Sequence, residues 1–158
     1  MTDPSGSAQD RPVPVLVPNG PDLDLLGVRE PEVYSEEPLA GIEALCRATA
    51  AEHGPRADFR QSDHEGVLTD AVQEARTAHR GILINPAGYG HTSVAPREAP
   101  AAADLPVVEV RLSDIHAREP FRHFSYVSAV AATVIRGAGA HGHARGPARP
   151  TRLTAVAR

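Results

Sequence analysis

Short runs of consecutive apolar residues alternate along the chain with longer stretches whose apolar positions recur every three or four residues. The first run, Val13–Val17, stops at Pro18-Asn19-Gly20-Pro21, which reads as a buried strand entering a turn. Ala57–Gln61, Gly81–Ile84 and Leu105–Val110 are expected as further strands, and Ser125–Val127 as a short fifth. Between them, Leu39–His53 carries Leu39, Ile42, Leu45, Cys46 and Ala50 on one helical face and closes at Gly54. Glu65–Ala78 repeats the pattern with Val67, Leu68, Ala71, Val72 and Ala75. Thr92–Ala103 is expected to be helical, with Pro96 tolerated in a first turn and Pro100 shortening or kinking the rest. Ser128–Arg136 is expected as the last helix.

Strands alternating with helices imply a parallel sheet covered on both faces, with right-handed crossovers that gather the strand-end loops on one side. Ligands bind there, near the point where the strand order reverses. The loops in question are Asn19–Glu37, Asn85–Ser93 and Arg111–Arg122. At 158 residues the chain suits one domain, taken as residues 12–143. Met1–Arg11 reads as a polar tail, and the Gly/Pro/Arg-rich stretch from His141, above all residues 144–158, as a mobile one.

Composition narrows the chemistry. All 16 basic residues are arginine. The absence of lysine removes Schiff-base catalysis, lysine-bound pyridoxal phosphate and the phosphate-loop lysine together. A net charge of −4 gives no general case for nucleic acid or an anionic membrane, and no apolar run approaches a membrane span. The single cysteine, Cys46, fits a core position and a reducing cytoplasm. No His/Cys/Asp cluster has metal-ligand spacing, so no metal is expected.

Taken singly, the polar residues of the three loops have plain structural accounts. Asn19 and Asn85 precede Gly and Pro as turn formers, and Arg29 and Tyr34 are ordinary loop residues. Their combination is more specific. Asn19-Gly20-Pro21-Asp22-Leu23-Asp24-Leu25-Leu26-Gly27-Val28-Arg29-Glu30-Pro31 leads to Tyr34, and Gln61-Ser62-Asp63-His64-Glu65-Gly66 follows. Then come Asn85-Pro86-Ala87-Gly88-Tyr89-Gly90-His91-Thr92-Ser93 and His116-Ala117-Arg118-Glu119. In this order, from about Val13 to His143, the chain resembles the type II 3-dehydroquinate dehydratases.

The resemblance implies an α/β, flavodoxin-like three-layer sandwich with a five-stranded parallel sheet, and a dodecamer built from trimers. It implies a cofactor-free anti elimination of water through an enolate, converting 3-dehydroquinate to 3-dehydroshikimate. By the same resemblance Tyr34 is the base, assisted by the charge of Arg29, and Asn19 lies near a water on the enolate oxygen. Asn85 and the backbone at Leu112 and Ser113 would hold the substrate carboxylate, and His91 and Arg122 its ring hydroxyls. Glu109 would orient the acid on the neighbouring loop, and Glu98 would reach a neighbouring subunit's site. The loop Asn19–Glu37 is long enough to act as a lid.

One position departs from the family in its chemistry. Arg111 stands where the family carries the histidine that protonates the leaving hydroxyl, and an arginine cannot give up a proton near neutrality. Aspartates at positions 22, 24, 63 and 114 also stand where asparagines are expected. Three readings follow: a slow lyase of this family; a specialised paralogue, in secondary metabolism for example, with another enolisation, rearrangement or cyclisation; and a non-catalytic binding protein.

Overall fold

The computed structural model describes residues 12–30, 32 and 36–146. Five strands form one parallel sheet in the order β2-β1-β3-β4-β5: β1 Val15–Asn19, β2 Ala57–Gln61, β3 Ile82–Ile84, β4 Val107–Val110 and β5 Thr133–Ile135. This is the flavodoxin-like doubly wound arrangement, whose strand order reverses between β1 and β3.

Alternation along the strands divides the core in two. Val15 and Val17 face helix α1 (Leu39–Glu52), where they join Ile42, Cys46 and Ala50. Leu16, one residue out of phase, faces α2 (Glu65–Ala78) and α4 (Ala95–Ala103) with Ala71, Val72, Ala75 and Ala99. Strands covered on both faces are continuous apolar runs, and that is why they were legible as such.

Pro18 marks the sheet where the site begins. The β1–β3 ladder runs from the Leu16 amide to the Gly81 carbonyl and from the Gly20 amide to the Asn85 carbonyl. The intermediate donor falls on Pro18, which has no N–H. Gly20 follows at the closest approach of the two strand ends, where a Cβ would sit 2.4 Å from the Pro86 carbonyl oxygen. Only glycine fits there.

Three expectations need correction. Ser125–Val127 is not a strand: β5 lies at Thr133–Ile135, where three β-branched residues pair with Val108–Val110. Ser128–Arg136 is accordingly no helix; Val127–Ala129 forms one 3-10 turn instead. The expected tail is ordered at its start, because Ala140–Arg145 forms a short helix α5 packed on α1. Thr92–Ala103 is divided between α3 (Tyr89–Thr92) and α4, with Pro96 in the first turn of α4 and Pro100 inside it. No helix among the described residues is long and apolar enough to cross a membrane.

Candidate active site

The carboxyl ends of β1, β3 and β4 open into one cleft. Pro21, Asp22, Leu23 and Arg29 line it from the β1 loop, and Asn85, Gly88 and His91 from the β3 loop. Arg111, Leu112, Ser113, Arg118 and Arg122 complete it from the β4 loop. A chain of net charge −4 thus gathers four arginines around one concavity, which suits an anionic ligand.

On the β1 side, Asp22 takes a left-handed backbone conformation (φ 63°) and its amide donates to the Asp63 carboxylate at 3.0 Å. Its own carboxylate accepts from Arg29 Nη1 at 2.8 Å, so the arginine expected to assist Tyr34 is held by an acid of the same loop. Tyr34 itself lies outside the described residues.

Asn85 is buried, and its Oδ1 accepts from the Ala87 amide at 3.2 Å. That bond accompanies the positive φ of Ala87 and engages the carboxamide oxygen rather than its nitrogen. His91 Nδ1 lies 2.6 Å from the Phe124 carbonyl. A carbonyl can only accept, so Nδ1 carries the proton and the neutral ring presents an unprotonated Nε2. Burial, then the nearby charges of Arg111 and Arg122, pull its pKa below the ordinary histidine value, against the Phe124 carbonyl and Glu109. Arg122 is fixed at the rim by Glu119, 2.9 Å away, and lies over the Phe121 ring.

The position that departs from the family is held by three side-chain hydrogen bonds. Arg111 Nε donates to Glu109 Oε1 at 2.9 Å, Nη1 to the Ala87 carbonyl at 2.6 Å and Nη2 to Ser125 Oγ at 3.0 Å. Glu109 is fully buried and also accepts from the Ser125 and Ser128 hydroxyls. Burial pulls the guanidinium pKa down and the Glu109 carboxylate opposes it; the pair is a charged, hydrogen-bonded unit in the cleft floor. Gly90 supplies its space: a Cβ there would lie 1.9 Å from Arg111 Nη2.

The structure therefore brings Arg29, Asn85, His91, Arg111, Leu112, Ser113 and Arg122 together. It does not bring Asn19 or Glu98. The Asn19 carboxamide is fully buried, donating to the Val17 and Arg60 carbonyls, both at 3.1 Å, and meeting His143 Nε2 at 3.0 Å through its oxygen. Glu98 is exposed on α4, paired with Arg97. Sequence reasoning missed Ser125, Ser128 and Gly90. A buried carboxylate beside a cation calls for further donors, but nothing local indicates which hydroxyls supply them.

Fold and cleft define a doubly wound α/β protein with an arginine-lined cleft at the topological switch point. The model of the family Dehydroquinase class II matches residues 13–147. A 3-dehydroquinate dehydratase from Streptomyces coelicolor is 56% identical over 137 residues, covering 86% of this chain and 87% of that one. One from Streptomyces avermitilis is 57% identical over 132 residues, 83% of each. Among solved structures, a type II dehydroquinase from Butyrivibrio crossotus has a TM-score of 0.85 at 33% identity, covering 89% of this chain and 98% of that one. Another, from Propionibacterium acnes, has a TM-score of 0.82 at 32% identity, covering 92% and 98%. The chain belongs to the class II dehydroquinase family.

Proposed function

We propose that this protein eliminates water from 3-dehydroquinate to form 3-dehydroshikimate, by removal of a proton beside the ketone and loss of the hydroxyl through an enolate. The observation that carries the reading is the shared cleft: a buried amide donor on Asn85, the Leu112–Ser113 backbone, His91 and Arg122 surround a space lined by cationic side chains. That set suits a small polyol carboxylate, with the carboxylate at Asn85 and Leu112–Ser113 and ring hydroxyls at His91 and Arg122. Tyr34 acts as base with Arg29 beside it, and Glu109 orients Arg111 rather than a proton donor. The chemistry uses no cofactor and no metal. Relatives at 56% and 57% identity bearing the dehydratase name support the same reaction.

In this reading the working protein is a cytoplasmic homo-oligomer, a dodecamer built from trimers, in which Glu98 of one subunit completes the cleft of the next. Phe121 and Phe124, large apolar side chains left exposed on the single chain, support such an assembly. The direct test is the rise in ultraviolet absorbance of the conjugated enone when the purified protein meets 3-dehydroquinate. Turnover is expected to be slow, abolished by Tyr34→Phe and raised by Arg111→His where the new imidazole reaches the leaving oxygen. No absorbance change at high enzyme concentration would remove the reading.

A further inference from the structure

The elimination needs a proton for the departing hydroxyl, and position 111 does not supply one. Arg111 is held by Glu109, Ser125 and the Ala87 carbonyl over a slot that Gly90 leaves open, so it is a built part of the cleft floor. Among the described cleft residues the ionisable side chains are Asp22, Arg29, His91, Arg111, Arg118 and Arg122. Asp22 is bonded to Arg29, and the arginines keep their protons throughout the neutral range. His116, the other histidine in the family motif, is exposed and turned to Arg136, whose Nη1 donates to its Nε2 at 2.8 Å. That leaves His91. Its Nδ1–H is fixed on the Phe124 carbonyl, so any proton it exchanges with a ligand passes through Nε2.

We propose that His91, through Nε2, is the residue that protonates the leaving hydroxyl in this protein, taking over the task that Arg111 cannot perform; the proposal rests on the dehydratase reading above. Tyrosinate takes the proton beside the ketone, giving the enolate. The enolate re-forms the ketone and the new carbon–carbon double bond as the C–O bond breaks with its electrons on oxygen. The Nε2–H of protonated His91 is delivered to that oxygen, directly or through one water, and water leaves. Tyr34 then returns its proton to solvent and His91 regains one, so substrate becomes enone plus water with nothing oxidised or reduced.

The fixed Arg111 gives this arrangement a pH signature. Facing His91 are the cations Arg111 and Arg122 and the carboxylate Glu109. Burial and the two cations disfavour the imidazolium, so the acid form is the minority species at neutral pH. Elimination should then lose rate as pH rises through a His91 pKa set below the ordinary histidine value.

The experiment compares the full-length protein with His91→Gln, whose amide can still hold a hydroxyl but cannot supply a proton. With 3-dehydroquinate in deuterated buffer, absorbance follows the enone and NMR follows exchange of the proton beside the ketone. We expect elimination by His91→Gln to fall about 10²-fold or more in kcat. Exchange should continue and outrun elimination, and the limb of the pH profile assigned to His91 should vanish. Exchange and elimination falling together with a raised KM and an intact limb would overturn the proposal. So would unchanged elimination, or a wild-type protein that exchanges without eliminating. A wild-type protein that does neither fails the dehydratase reading itself, and the proposal falls with it.

Discussion

At the scale of single residues, the cation at position 111 is tolerated because a whole environment fits it. Glu109 balances its charge, Ser125 and the Ala87 carbonyl take further N–H groups, and Gly90 vacates the volume. The last contact gives a sharp test. Gly90 sits in helix α3, where alanine is ordinarily preferred by about 0.5–1 kcal/mol. Here the added methyl meets Arg111 Nη2, the end of a flexible side chain pinned by three hydrogen bonds. Gly90→Ala should therefore destabilise by about 1–3 kcal/mol in urea unfolding. In an Arg111→Ala background most of that cost should disappear, giving a coupling energy of similar size in the double-mutant cycle. Additive effects would mean that Gly90 and Arg111 do not share one space.

At the scale of elements, α5 ties the segment after β5 to the end of β1. His143 is 1% exposed, its Nε2 meets Asn19 Oδ1, its Nδ1 has no partner, and its carbonyl accepts from Cys46 Sγ at 3.4 Å. Burial lowers the His143 pKa from 6.5 to about 4 and pushes the Cys46 thiol up to about 12. The unfolded chain takes up the His143 proton below pH 6.5 and the folded chain only near 4, so stability falls as pH drops through that window. This contribution should reach roughly 2.5 kcal/mol between pH 7 and 4.5 and be absent from His143→Gln, as urea titrations at the two pH values would show. Asp58 and Glu74, held low by Arg60, add their own loss as pH falls below their ordinary values, and His91, whose pKa is also lowered, adds a loss in this window that His143→Gln leaves in place. None of this could be read from the chain. Three strands and three helices were legible because each buries enough apolar residues to print its period on the sequence, whereas β2, an edge strand, buries Ala57 alone of its five residues. α5 has Gly and His where a core helix would carry leucines, and β5 is a half-buried three-residue edge strand following an alanine-rich stretch that imitates a helix. The same limit applies to the site. Asn85, His91 and Arg122 were legible because the family resemblance placed them on the loops that follow β3 and β4. Asn19 shares such a motif, yet a histidine 124 positions away helps hold its side chain out of the cleft.

At the scale of the whole molecule, the described lining of the cleft comes from three loops of one chain. Glu98 has 61% of its side chain exposed and lies on α4, outside the cleft formed by its own chain. If the dodecamer proposed above forms, that carboxylate meets another subunit's ligand, and its effect should appear in binding rather than in folding. Sedimentation at neutral pH should then give a dodecamer of 16.7 kDa chains. Glu98→Ala should raise KM about tenfold or more, the loss of a charge-assisted hydrogen bond of about 1.5–3 kcal/mol. Its unfolding free energy should stay within about 0.5 kcal/mol of wild type, since the residue is exposed and its ion pair with Arg97 is a surface contact. Dilution offers an independent arm. If the cleft needs a neighbour's carboxylate, specific activity must fall at the concentration where the assembly dissociates, and Glu98→Ala must flatten that fall. A monomer with full activity at every dilution would show that one chain's cleft is complete, and the role of Glu98 in a neighbouring site would be lost.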